Sequence, residues 1–283
     1  MFTINPFAEL SASIPAYVMQ AYVVVMVLFV IGGTVLDMIH KKSAKYFFEN
    51  AKKAEKSATR TVSGGEKASL AISTLTSEVL TSSEFNNQKR RLSHLFTMYG
   101  FILFVAMTAV MIFSYPTPAT PTPTIIPVLW HVGALMLCFG GYWFWFFIRV
   151  DVFSEGKEWY KLDRADLFIV SLLMTCTFAL IWSFLQYAGV AGWSVLAFAL
   201  FILASTVLFV GVYFSKFAHM FFKPAAAYQK KITRADGSRE NLPEDYVLTD
   251  TDVQVQFPDI PEYMGTSPAN MGLGIKRESP NHY

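Results

Sequence analysis

Imidazole both ligates transition metals and exchanges protons near neutral pH, so the five histidines, at positions 40, 94, 131, 219 and 282, are the side chains to sort first. His94 opens an apolar run directly after Lys89, Arg90 and Arg91, and His219 follows the last apolar run. If those runs cross a membrane, both histidines fall at one depth. The iron of a b-type haem needs an axial ligand on each face of its macrocycle, and two neutral imidazoles from neighbouring helices supply them without an unpaired charge in lipid. His94 and His219 could be that pair. Gly211 and Ser215, eight and four residues before His219, would stack below it on one helical face and leave room for a flat ring. Arg90, Arg91 and Lys216 lie at the depth where haem propionates want cations. Equally, a histidine at a membrane interface is often a solvated or snorkelling side chain, and spacing alone leaves both readings open.

His131 lies well inside an apolar run, where an ionisable residue implies a role. That role is either a polar contact packing two helices or a contact to quinone or another ligand. No second histidine shares its level, so a second bis-histidine haem would lack a partner and the expectation is one haem at most. His40 precedes two lysines and reads as interfacial, and His282 reads as inert. The two cysteines, Cys138 and Cys176, sit inside apolar runs, which excludes a disulfide framework, a CxxC redox pair, a zinc site of the usual spacing and a cysteine-ligated iron–sulfur cluster. Gly64-Gly65 is not a phosphate loop, and Asp37 and Asp166 read as helix-end caps.

The elements that would carry these residues follow from the solvent. With 53% hydrophobic and only 16% charged residues, the chain is more apolar than a soluble domain. A membrane-crossing helix takes about 20 apolar residues, and five runs qualify: 16–36, 95–114, 126–148, 167–187 and 193–214. The predicted fold is an all-α polytopic bundle of five transmembrane helices. Lysines and arginines concentrate between the first two spans, between the third and fourth (Arg149, Lys157, Lys161, Arg164) and after the fifth (Lys216, Lys223, Lys230, Lys231), whereas the other two connections carry no charge. The positive-inside rule then makes the charged segments cytoplasmic, with the N-terminus outside and the C-terminus in the cytoplasm. A net charge of +2 gives no reason to expect nucleic acid.

The expected organisation is an external N-terminus over 1–15, a first span over 16–40, a basic cytoplasmic loop over 41–93, spans two to five over 94–222, and a cytoplasmic tail over 223–283. Residues 41–60 could prolong the first helix, Ser63, Gly64 and Gly65 break it, and 70–80 can form a short amphipathic helix. The tail is polar and rich in proline after Pro224, which predicts extended or disordered chain that orders on a partner. The Pro-Thr alternation over 116–124 predicts a stiff extended connector.

Phe214-Ser215-Lys216-Phe217-Ala218-His219, followed by Pro224, resembles the Phe-Ser-Lys/Arg-x-x-His-x-x-x-x-Pro segment that closes the last helix of the gamma-type cytochromes b of respiratory nitrate reductases. Their relatives in heterodisulfide-reductase-like, dissimilatory-sulfite-reductase and quinone-interacting sulfur complexes share it. Arg90, Arg91, His94, Gly100 and Phe101 are similar to the start of helix two in that group. The resemblance covers spans two to five. It implies that His94 and His219 ligate the haem on the cytoplasmic side, and that quinone is the membrane substrate. Two-haem members carry a deeper histidine pair, where this chain offers Met107 and Met111 instead. Unlike the quinone-interacting relatives, the chain is expected to lack a fused iron–sulfur domain, and its length, basic loop and tail most resemble the membrane anchors of dissimilatory adenylylsulfate reductase in sulfur-oxidising bacteria. That likeness implies a bacterial inner-membrane location, soluble cytoplasmic iron–sulfur and flavin subunits as partners, and either electron transfer to quinone or passive anchoring as the role.

Overall fold

In a computed structural model of the chain, residues 1–83, 85, 87–149, 160–163, 166–215, 219–239 and 251–256 are described. Every regular element among them is helical. They run as α1 (Pro6–Leu10), α2 (Ala16–Lys41), α3 (Ser43–Lys56), α4 (Gly64–Ser73), a wide π-type turn (Thr74–Leu80), α5 (Gln88–Ser114), α6 (Ile125–Trp143) with a π-type extension (Phe144–Ile148), α7 (Leu167–Tyr187), α8 (Ala191–Val210) with a 3-10 turn (Gly211–Phe214), α9 (His219–Ala235) and α10 (Thr251–Gln256). Five helical stretches are long and apolar enough to cross a bilayer: Ala16–His40, Gln88–Ser114, Ile125–Ile148, Leu167–Tyr187 and Ala191–Phe214. The chain is thus all-helical over the described residues and a multi-pass membrane protein.

Two hairpins form the bundle. α5 pairs most extensively with α6, and α7 with α8 across the short turn at Gly189. Small residues make the first pairing possible, since helices in lipid gain their contact from close backbone approach rather than from the hydrophobic effect. A β-carbon on Gly100 would lie 2.5 Å from the Leu137 nitrogen and 2.7 Å from the Gly133 carbonyl, and one on Gly140 would lie 2.6 Å from the Ser93 carbonyl. The pairs 93/140, 100/133 and 104/130 share one register, so the helices run antiparallel, and Ser93 Oγ donates to the Gly140 carbonyl at 2.8 Å. Gly100→Ala should therefore cost about 1–3 kcal/mol, because backbone rather than a flexible side chain must move. Its midpoint of thermal unfolding in detergent should fall, while Gly32→Ala, with nothing within 4 Å, should leave it unchanged. Equal midpoints for the two variants would refute the close-packing account.

The far end of the bundle is closed by the N-terminal residues, for which the sequence predicts only an external segment. Asn5 caps α1 by accepting from the amides of Phe7 (3.0 Å) and Ala8 (3.2 Å), and its amide donates to the Tyr115 carbonyl and to Thr122 Oγ1, both at 3.0 Å. Phe7 is buried among Trp130, Trp182 and Phe201. Gln186 Nε2 donates to the Pro6 carbonyl at 3.1 Å.

At the opposite end, α3, α4, the wide turn and α9 assemble into a small helical layer. α2 does not run on into α3: Lys42 adopts a left-handed conformation (φ 53°) that breaks the helix. Ser63, Gly64 and Gly65 do more than end the preceding helix, since Ser63 Oγ accepts from the Glu66 amide and caps α4. The exposed Arg60 donates twice to Glu66, and that hydrogen bonding holds the Glu66 carboxyl below the ordinary range.

The expectation of an extended or disordered tail from 223 onward is corrected over residues 223–235, which belong to α9, and over 251–256, which form α10. α9 passes through Pro224. Three successive alanines after that proline favour helix, and Lys231 ties it down, with Nζ at 2.9 Å from Ser77 Oγ, 3.2 Å from Ser73 Oγ and 3.6 Å from Glu78. The Asp236 carbonyl accepts from the amides of Thr59 and Arg60, which fastens the end of α9 to the segment after α3. The remainder of the tail, residues 240–250 and 257–283, lies outside the described residues.

Candidate functional site

The helical layer meets the bundle at the first turns of α5. Asn87 Oδ1 accepts from the amides of Lys89 (2.9 Å) and Arg90 (3.4 Å), a side-chain cap that fixes where α5 begins. From that fixed start, three side chains stitch the preceding loop to the helix. Arg91 Nε donates to the Thr81 carbonyl at 2.7 Å, Tyr99 OH donates to the Leu80 carbonyl at 2.6 Å, and His94 Nδ1 lies 3.0 Å from Ser82 Oγ. Ser82 is buried in a left-handed conformation (φ 48°), so a strained residue is held where its hydroxyl reaches the imidazole.

His94 is half-buried, and the Phe85 ring packs against it at 5.1 Å between centroids. Lys223 of α9 places Nζ 5.5 Å from the centre of the same Phe85 ring. The start of α5 and the start of α9 therefore converge on Phe85, and Lys223 lies four residues beyond position 219. His219 opens α9 in the backbone trace, while its side chain, like all of Lys216, lies outside what is described.

One part of the expected surroundings differs from the sequence reading. Gly211 and Ser215 do not share one continuous helix with position 219: α8 ends at Val210, a 3-10 turn follows, and Ser215 is extended (φ −117°, ψ −177°). The one-face stacking of 211, 215 and 219 is corrected accordingly. A β-carbon on Gly211 would meet Leu167 Cδ2 at 3.6 Å, an ordinary contact, so this position has space without being crowded.

Whether these residues fit a haem can be asked of atoms present. Arg90 is half-buried, and its Nη1 is buried without a hydrogen-bond partner among the described residues, as suits a guanidinium that meets an anion such as a propionate. Were Nδ1 to donate to the Ser82 hydroxyl, this contact would be the outer-shell support that a metal-bound imidazole usually has. Arg91, by contrast, already spends Nε on the Thr81 carbonyl.

His131 is fully buried, and both ring nitrogens are engaged. Nδ1 lies 2.7 Å from the Pro127 carbonyl, which can only accept, so Nδ1 carries the proton and Nε2 accepts from Ser183 Oγ at 2.9 Å. The contact joins α6 to α7, as a bundle-packing histidine would. Trp130, beside it, donates from Nε1 to Thr108 Oγ1 at 2.8 Å.

Compared with protein-family models, with curated proteins and with solved structures, the chain matches none.

Proposed function

We propose that this chain is the membrane subunit of a redox complex, oriented with its N-terminus outside and its helical layer in the cytoplasm of a bacterial inner membrane. It would anchor a soluble sulfur-metabolising oxidoreductase, with adenylylsulfate reductase the leading candidate, and pass its electrons to quinone through one b haem. The observation that carries this reading is the convergence of His94, Phe85 and Lys223, which draws the start of α5 and the start of α9 together. His94 and His219 would hold the iron, and Arg90 would meet a propionate, with Lys216 as a further cation from the sequence reading. Such a group supplies a one-electron relay between the soluble subunits and the bilayer. This chain's own residues bind and orient it: Ser82 sets the direction of the His94 ring, and Asn87 sets the depth of the whole helix start.

A second reading is favoured by a specific contact. His94 is already hydrogen-bonded to Ser82 and covered by Phe85, so it is accommodated as a structural residue stitching the loop to α5. On that reading the chain is a passive anchor for the same kind of complex. Purification from membranes of cells supplied with haem precursor separates the two. A dithionite-reducible b-type absorbance at about one haem per chain supports the electron-transfer reading. A colourless chain that still retains soluble partner subunits rejects it in favour of the anchor.

A further inference from the structure

α2 is the least covered of the five spans. Near its start it is held to the bundle by polar contacts, Gln20 Nε2 to the Ile112 carbonyl at 3.2 Å and Tyr22 OH to Ser205 (2.8 Å) and Thr206 (3.0 Å). Further along it touches the bundle at Gly33, where a β-carbon would lie 3.1 Å from Val212. Beside that contact the two helices part, and a groove of about 980 Å³ opens between α2 and the end of α8. Its walls include Val25, Phe29, Leu36 and Phe214, and Gly32 opens it, since nothing lies within 4 Å of where its side chain would begin. From Val25 to His40 the groove follows sixteen residues of helix, about 24 Å at 1.5 Å per residue, longer than one leaflet of a hydrocarbon core about 30 Å thick.

The two ends of this groove differ chemically. The bundle end is purely apolar. The end at the helical layer is lined by His40, edge-on to Tyr213 at 5.8 Å, and the exposed Lys42 follows His40 by two residues, where the chain turns into α3. Residues 40–60 hold seven lysines and arginines against two glutamates. α3 presents exposed Tyr46 and Phe48 among exposed Lys45, Lys52, Lys53 and Lys56, the mixture of aromatic rings and cations that a helix lying in a membrane interface displays. The exposed Lys45–Glu49 pair (3.7 Å) is a surface pair of little worth, so that lysine can turn to a stronger anion.

We infer that the α2–α8 groove is a binding site for an anionic phospholipid, whose acyl chains lie along Gly32 and whose phosphate meets Lys42 and Lys45 beside His40. Apolar walls alone would suit any lipid. The cationic collar at one end selects a negative headgroup, since each lysine at the surface of an anionic leaflet contributes about as much as a severalfold change in affinity. The site also gives α2, otherwise sparsely packed, a lateral partner at the point where it leaves the bundle.

The test uses the full chain, purified in detergent and stripped of lipid, titrated with phosphatidylglycerol or phosphatidylcholine and followed by thermal unfolding and native mass spectrometry. Saturable stabilisation and retained adducts are expected with phosphatidylglycerol and not with phosphatidylcholine. Lys42→Glu with Lys45→Glu should raise the half-saturating phosphatidylglycerol concentration at least about tenfold, or abolish saturation. Gly32→Leu, which fills the groove without touching the Gly33–Val212 contact, should lower the number of retained adducts while leaving the lipid-free unfolding midpoint near that of the wild type. Equal responses to the two lipids, or variants that respond as the wild type does, would overturn the assignment. So would saturable stabilisation by ubiquinone with neither phospholipid acting, which would give the groove to a neutral isoprenoid.

Discussion

With His94 replaced by alanine, the chain is expected to insert into the membrane as before and to lose the whole of its b-type absorbance, and His219→Ala is expected to do the same. Complete loss follows if each imidazole supplies one of only two axial ligands. Alanine at position 94 also removes the hydrogen bond to Ser82, so loss of signal by itself would not separate ligation from loop anchoring. Two further variants make that separation. Ser82→Ala keeps the imidazole but removes its hydroxyl partner, and should retain the absorbance with an altered reduction potential, because the outer shell tunes ligand basicity. His94→Gln keeps a polar side chain able to reach Ser82 but offers no ring nitrogen, and should be colourless. A His94→Gln protein with wild-type absorbance would remove His94 from the ligand set, and with it the electron-transfer reading.

Hydropathy made the five spans legible, because a helix in lipid must satisfy its backbone internally and dress itself in apolar side chains along its whole length. Thus 167–187 was read to the residue, and the other spans to within a few residues apart from the second, which begins at Gln88 rather than at 95. The helical layer was less legible. The alanine-rich composition of 41–60 and the amphipathic pattern over 70–80 announce helices, yet the break at Lys42 is a left-handed residue with no glycine to mark it. α9 was hidden by Pro224 and by the polar composition around it. What stabilises it is long-range, Lys231 reaching Ser73 and Ser77 and the Asp236 carbonyl reaching Thr59, and no local pattern records such pairings.

The site was legible in its residue types and less so in its geometry. His94 was singled out by its position after two arginines, but its Ser82 partner has no signature, since a serine in a polar loop is unremarked until the chain folds it back by twelve residues. The role of His131 was open in the sequence because its partners, the carbonyl four residues earlier and Ser183 on another helix, are a backbone atom and one hydroxyl among many. The N-terminal closure by Asn5 and Phe7 had a signal that reading for spans alone passes over. Asn-Pro is a side-chain cap followed by a first-turn proline, the standard opening of a helix.

Asp166→Ala is expected to destabilise the chain by about 3–5 kcal/mol, the cost of leaving one partner of a buried ion pair alone. Arg149 closes the π-type extension of α6, and Asp166 precedes α7, so their pairing clasps the two ends of the connection between those helices. The side chains are only 7% and 13% exposed. Arg149 donates from Nε to Asp166 Oδ1 at 2.7 Å and from Nη2 to Oδ2, also donates to the Lys161 carbonyl at 3.0 Å, and lies 4.1 Å above the Trp145 ring. Its Nη1 is buried without a hydrogen-bond partner among the described residues, so removing the carboxylate leaves a desolvated cation with little to replace it. Removing both charges is a different matter, since the penalty arises from the unpaired group. Arg149→Leu with Asp166→Leu should therefore be less destabilised than Asp166→Ala alone, and a double-mutant cycle on unfolding in detergent should return a coupling well above the 1 kcal/mol of an exposed pair. An Asp166→Ala protein within about 1 kcal/mol of the wild type would mean that water reaches the pair and that the clasp contributes little.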